Sequence, residues 1–162
     1  MIQSYTPSDE ILAKYAELLV KFGLQTKAGK PLTKGSVILF TVPEVARPMY
    51  FHLQEAILKA GHHPLGKYIP SNDMQYKFDQ SVFSNANTKQ LEFFADKYHR
   101  GLVDQIDGMI GIIADSDPQS LKEIDPKKVM KLSAAKKPYM DMRFKKTDAG
   151  KLAWTGALYG TD

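Results

Sequence analysis

The sequence predicts an α/β domain, a three-layer sandwich whose mostly parallel sheet of about four strands carries helices on both faces. Three observations lead there. Short continuous apolar runs at residues 37–42 (Val-Ile-Leu-Phe-Thr-Val) and 108–114 (Gly-Met-Ile-Gly-Ile-Ile-Ala) read as strands buried on both sides, as in a parallel sheet. Segments with apolar residues at helical spacing alternate with the strands. Such alternation builds βαβ units with right-handed crossovers.

The elements follow in order. Thr6-Pro7-Ser8-Asp9 supplies an N-cap threonine, a proline at the first helical position and an acid in the first turn. Ile11, Leu12, Tyr15, Leu18, Leu19 and Phe22 are expected to form the inner face of that helix. Gly23 stops it, and Leu24 stands where an apolar contact accompanies a glycine C-cap. After a turn at residues 27–35 and the first strand, Pro43 leads into a helix over about 46–60, with Tyr50, Leu53, Ile57 and Leu58 inward and Gly61 as its cap. Residues 63–69 form a weaker second strand. Pro70-Ser71-Asn72 is expected to open a helix through Phe83, with Met74, Phe78 and Val82 on one side. Asn87-Thr88-Lys89-Gln90 starts another, with Leu91, Phe94, Ala95, Tyr98 and Leu102 inward. Beyond the third strand, Asp117-Pro118 opens a short turn and Asp125-Pro126 a long helix, kinked or broken at Pro138. A last strand over 152–159 contains the single tryptophan, Trp154. The chain ends two residues after Leu158-Tyr159-Gly160, and a buried strand closing so abruptly is expected of a fragment.

Composition narrows the function classes. The 162 residues suit one domain, spanning residues 1–162. With no cysteine there is no disulfide, no thiolate metal site and no Cys nucleophile. No apolar run approaches the roughly 20 residues a membrane span needs, and the first ten residues hold no signal-peptide core, so a cytoplasmic protein without a membrane partner is expected. The net charge of +4 comes from scattered lysines, with pairs at Lys127-Lys128, Lys136-Lys137 and Lys145-Lys146 that are not interleaved with aromatics. They read as solvated helix faces, not as a nucleic-acid site.

A search for chemistry finds no catalytic set. His52-Leu53-Gln54-Glu55 lacks the second histidine of a zinc-binding His-Glu-x-x-His helix. His62 and His63 are adjacent, so their side chains diverge at a surface corner, and His99 reads as a capping or core-edge residue. Asp107, Asp115 and Asp117 flank the third strand. Asp115-Ser116-Asp117 would lie beyond its carboxyl end, where open α/β sheets bind ligands, although Asp117 before Pro118 also reads as a helix cap. Gly108-x-x-Gly111 sits inside a strand and is no phosphate loop, and there is no G-x-S-x-G elbow. The aromatic pairs Tyr15/Phe22 and Phe94/Tyr98 are expected in the core.

Several segments taken together resemble the thermophilic-type metallo-aminopeptidases, the aminopeptidase T and leucyl aminopeptidase family. They are residues 15–24 (Tyr-Ala-Glu-Leu-Leu-Val-Lys-Phe-Gly-Leu) with the strand after them, and 55–61 (Glu-Ala-Ile-Leu-Lys-Ala-Gly). Next come 112–118 (Ile-Ile-Ala-Asp-Ser-Asp-Pro) with Leu121 and 124–129 (Ile-Asp-Pro-Lys-Lys-Val). The last are Leu152-Ala153-Trp154-Thr155 and Leu158-Tyr159-Gly160-Thr161, where Gly160 replaces the family's usual proline. Residues 64–87 depart most. The likeness covers the whole chain but only the first half of the family. It implies an N-terminal domain of an enzyme that removes N-terminal residues from peptides with two divalent ions (Zn, Co or Mg) acting on the substrate carbonyl and on water. It further implies a homodimer at full length, peptide substrates, and a C-terminal catalytic domain that carries the ligands. No position here matches those ligand motifs, so no catalytic, cofactor-binding or metal-binding residue is assigned and the fragment is expected to be inactive and metal-free. The alternatives are a stand-alone α/β small-ligand-binding module and a dimerisation module.

Overall fold

A computed structural model of the chain describes residues 7–25, 29–73, 75–114 and 119–160. Its strands are β1 (Val37–Pro43), β2 (His63–Ile69), β3 (Gly108–Ile113) and β4 (Ala153–Leu158), all parallel, in the order β2-β1-β3-β4. The helices are α1 (Asp9–Leu18), α2 (Arg47–Lys59), α3 (Phe78–Asn85), α4 (Thr88–Leu91), α5 (Asp96–Gln105) and α6 (Pro126–Asp148). A π-helical turn, Leu19–Gly23, extends α1, and a 3-10 turn, Glu44–Ala46, leads into α2. The expected α/β sandwich with a parallel four-stranded sheet is what forms.

Alternation along β1 divides the core. Ile38, Phe40 and Val42 face α1 and α2, joining Leu12, Ala16, Leu53 and Ile57 in the larger cluster with Ile110, Ile112, Ala153 and Ala157. Leu39 faces the other way and packs with Ile106, Leu152, Leu102 and Met109 under α5. The second face is thin: α6, 23 residues long, buries none of them.

Two glycines shape the α2–β2 corner. Gly61 adopts φ +80°, the left-handed conformation that lets the chain leave α2. Gly66 makes room: a Cβ there would lie 2.1 Å from Tyr50 Oη and 2.9 Å from Phe40 Cζ. Those two rings pack with centroids 4.7 Å apart in that space.

Several boundaries differ from the sequence expectation. Ser8, not Thr6, caps α1, accepting a hydrogen bond from the Ile11 amide; Thr6 itself lies outside the described residues. The buried stripe of α1 and its π turn is Leu12, Ala16, Leu19 and Val20, whereas Ile11, Leu18 and Phe22 are exposed. No helix opens at Pro70. The Asp73 carboxylate instead accepts the amides of Gln75 and Tyr76, a local turn that competes with helix formation. Helix α3 therefore begins at Phe78, buries only Phe83 and leaves Phe78 and Val82 outside; Met74 is not among the described residues. The helix expected from Asn87 is two helices, α4 and α5, with the chain turned at residues 92–95.

Asn87 closes a reciprocal capping box with Gln90 on α4, and Asn87→Ala is expected to cost about 1 kcal/mol, measurable as a lowered urea midpoint with an unchanged slope. Helix α6 runs unbroken through Pro138. Both Pro138 and Ala134, whose carbonyl loses its partner, are exposed, so water can take the missing bond. Asp125 caps this helix as expected. Strand β4 is not a buried strand but an edge strand with alternating burial, and Trp154 is 54% exposed. Phe22 and Tyr98, expected in the core, are both largely exposed.

Candidate functional site

In this sheet the chain leaves β1 towards β2 on one side, and β3 lies on the other. The crevice between the carboxyl ends of β1 and β3 is therefore the position at which such sheets bind ligands. Its described rim belongs to the β1–α2 and β2–α3 connections. The Ser71 amide donates to Glu44 Oε2 at 3.1 Å, the Val45 amide to Ser71 Oγ at 3.4 Å, and Tyr68 Oη to the Glu44 carbonyl at 3.4 Å. These bonds tie the two connections together. Asp115, Ser116 and Asp117, the expected acidic rim of β3, lie outside the described residues.

The remaining candidates are dispersed. Asp107 is at the amino end of β3, away from that crevice, and its Oδ2 accepts the Val37 amide at 2.9 Å. It joins two strands, a structural role. His52 is buried on α2 with Nε2 3.3 Å from Asp9 Oδ1, bridging α2 to the first turn of α1. His62 and His63 occupy the α2–β2 corner; His62 is half-buried and its Nδ1 has no protein partner. Among the described residues no group of three or more His, Asp or Glu side chains is placed to hold a metal ion. The described residues thus do not fit a two-metal centre.

Two grooves were not foreseen. One, of about 300 Å³, runs between α1 and α2 over an alanine-rich floor, rimmed by the ion pairs Glu10–Lys14, Glu17–Lys21 and Glu55–Lys59. Its charges satisfy one another. The other, of about 540 Å³, lies between α5 and α6 and is lined by Arg100, Lys145, Lys146 and Lys151. Lys146 does not point a free charge into it. Its Nζ donates to the carbonyls of Val103, Asp104 and Ile106 at 2.7, 3.0 and 2.7 Å, closing the C-terminus of α5.

Between the same helices lies an aromatic cluster that the sequence hid, because its members come from two helices and the turn before α5. The His99 ring stacks on Phe94 (4.9 Å, 6°) and tilts against Tyr139 (4.8 Å), and Arg143 lies over the other ring of that pair at 5.5 Å. His99 Nδ1 is buried without a protein partner. Burial, then Lys67 and Lys136, hold the His99 pKa below its usual value. Burial likewise lowers that of His62, with Asp107 opposing. Both histidines thus take up protons more readily in the unfolded chain. Stability is expected to hold above the unfolded value near 6.5 and to fall as pH drops below it towards the lowered folded values. Thermal unfolding from pH 8 to pH 5 should show that decline, less steep in His99→Phe; a melting temperature flat across this interval would contradict it.

The chain matches the family model for the thermophilic metalloproteases (M29) over residues 8–162. Among solved structures it is similar to wild-type AmpT from Thermus thermophilus, with a TM-score of 0.73 at 20% sequence identity, over 94% of this chain and 36% of that one. At this identity the likeness concerns the fold. The chain spans about a third of the length of AmpT. No curated protein matches it. Among the described residues no helix is long and apolar enough to cross a membrane. With the match running from α1 through β4, the chain belongs to the thermophilic metalloprotease (M29) family.

Proposed function

We propose that the chain acts as the N-terminal, non-catalytic domain of a cytoplasmic, metal-dependent aminopeptidase that removes N-terminal residues from peptides. The observation that carries this reading is the pairing of a family match across residues 8–162 with coverage of only 36% of AmpT. In this reading the two divalent ions and their ligands belong to a second, catalytic domain. The outer face of α6 supports it: Met130, Met140 and Phe144 are exposed on a helix with no buried residue, and Phe93 beside it is 72% exposed. Apolar surface of that kind is what a second domain covers. The absence of cysteine suits a reducing compartment.

The test is a peptidase assay on the purified chain with added Zn²⁺ or Co²⁺ and peptides bearing a free N-terminus. Release of N-terminal residues is expected to stay at the level of the metal-only control. Sustained turnover that co-purifies with the chain would overturn the assignment of the chemistry to another domain.

A further inference from the structure

Among the described residues three buried side-chain nitrogens lack a hydrogen-bond partner, and two of them, His99 Nδ1 and Arg143 Nε, belong to the aromatic cluster between α5 and α6. Rings enclose His99 on several sides: Phe94 is stacked on it, Tyr139 is tilted against it and Tyr98 stands edge-on at 5.1 Å. Nothing accepts a proton from Nδ1. A neutral imidazole tolerates this, because it can carry its hydrogen on Nε2 and leave Nδ1 bare. A protonated ring carries a hydrogen on both nitrogens, and the one on Nδ1 becomes a buried charged donor without an acceptor.

The charges around the ring are of one sign. Lys67 acts on it from β2 and Lys136 from α6, and Arg143 of α6 lies over Tyr139, whose phenol burial keeps neutral. The carboxylates of these elements are engaged elsewhere or lie further along: Asp96 pairs with Arg100, Glu92 with Lys131 and Asp141 with Lys137, while Asp104 and Asp148 stand at the C-terminal ends of α5 and α6. A protonated His99 would gain from stacking as a cation on Phe94 and Tyr139. That gain is smaller than what a buried charged donor loses without an acceptor, and the Tyr139 ring already faces Arg143. The direction of the His99 pKa, held down by burial and then by Lys67 and Lys136, agrees.

Tyr139 is where the cluster grips α6, and Pro138 precedes it. Having no amide, Pro138 leaves the helix one ladder bond short, so α6 can bend there without breaking another. The two ends of α6 are held separately, by Lys128 on the Phe83 carbonyl and by Lys146 on the carbonyls at the end of α5. We propose that the cluster is an acid-sensitive latch: a proton taken up from solvent by His99 Nδ1 releases the middle of α6 from α5, while both ends stay attached. Above the transition Phe94 and Tyr139 are packed around a neutral His99. Below it they join Phe93, Met140 and Phe144 on the exposed apolar surface, so the face that α6 offers to a partner is set by pH.

Native-state hydrogen exchange at pH 7.5 and pH 5.0, corrected for the intrinsic rates, tests it, with circular dichroism as the check on folding. On acidification the amides of residues 139–143 should lose several-fold more protection than those of β1 and β3. Linkage limits this excess to about thirtyfold for a released ring that titrates near 6.5. In His99→Phe, which keeps a stacked ring and takes up no proton, the excess should vanish. Lys136→Glu, at an exposed position, sets a carboxylate near the ring and should cut the excess by about half or more. A loss shared equally by α6 and the sheet overturns the proposal, as does no loss at all or an excess that persists in His99→Phe. If His99→Phe fails to fold, Lys136→Glu decides alone, and an undiminished excess in that variant overturns it.

Discussion

Truncating Phe40 to alanine is expected to destabilise the domain by about 3–5 kcal/mol, the range for removing a large aromatic side chain from a packed core. Phe40 is 1% exposed at the centre of β1, itself a central strand. It faces Tyr50 of α2, and its ring reaches the space that Gly66 of β2 leaves open. The site has little capacity to collapse, because the parallel strands on both sides hold β1 in register and α2 is fixed by Met49, Leu53 and Ile57, all fully buried. The lost ring therefore leaves a void, not a repacked core. For a domain of this size the melting temperature should fall by about 10 °C. Phe40→Leu, which keeps much of the volume, should cost less than half as much. Differential scanning calorimetry of the three proteins checks the order; equal losses for Ala and Leu would mean that ring volume is not what matters there.

The same packing explains what could be read in advance. Strands β1 and β3 were legible because burial on both faces leaves an unbroken apolar run, and their parallel pairing followed from the helices between them. The face of α1 was not legible. Its apolar residues cover two adjacent stripes, Ile11-Tyr15-Leu18-Phe22 and Leu12-Ala16-Leu19-Val20, and periodicity alone does not say which one meets the sheet. The structure buries the second in the core with α2 and leaves Ile11, Leu18 and Phe22 of the first exposed, with Tyr15 half-buried and its Oη 3.4 Å from the Leu158 carbonyl. Helix α3 was misjudged because the Asp73 turn is a side-chain device whose strength no spacing reveals. For the candidate site, the lack of a ligand motif was visible in the residues. The cluster of Phe94, His99, Tyr139 and Arg143 was not, since it needs α5 and α6 to be brought together. The acidic segment 115–117 lies outside the described residues, so its expected place at the rim of β3 stands as an expectation.

How α6 is held gives the second large effect. A helix of 23 residues, none of them fully buried, draws on half-buried side chains such as Val129, Leu132 and Tyr139, and polar contacts at its two ends add to that hold. Lys128 Nζ donates to the Phe83 carbonyl at one end, and Lys146 Nζ to three carbonyls at the end of α5 at the other. Bonds to a charged donor contribute about 1.5–3 kcal/mol each when well shielded, but Lys146 is only half-buried, so Lys146→Met is expected to cost about 2 kcal/mol in all. The methionine keeps the stem and removes the charge, which leaves the Val103 and Ile106 carbonyls without that donor. The loss should be local. Native-state hydrogen exchange in Lys146→Met should quicken across the C-terminal half of α6 and the last turn of α5, while the amides of β1 and β3 keep the protection set by global unfolding. Uniform acceleration across the sheet would show instead that α6 is part of the cooperative core and that Lys146 reports on the whole fold.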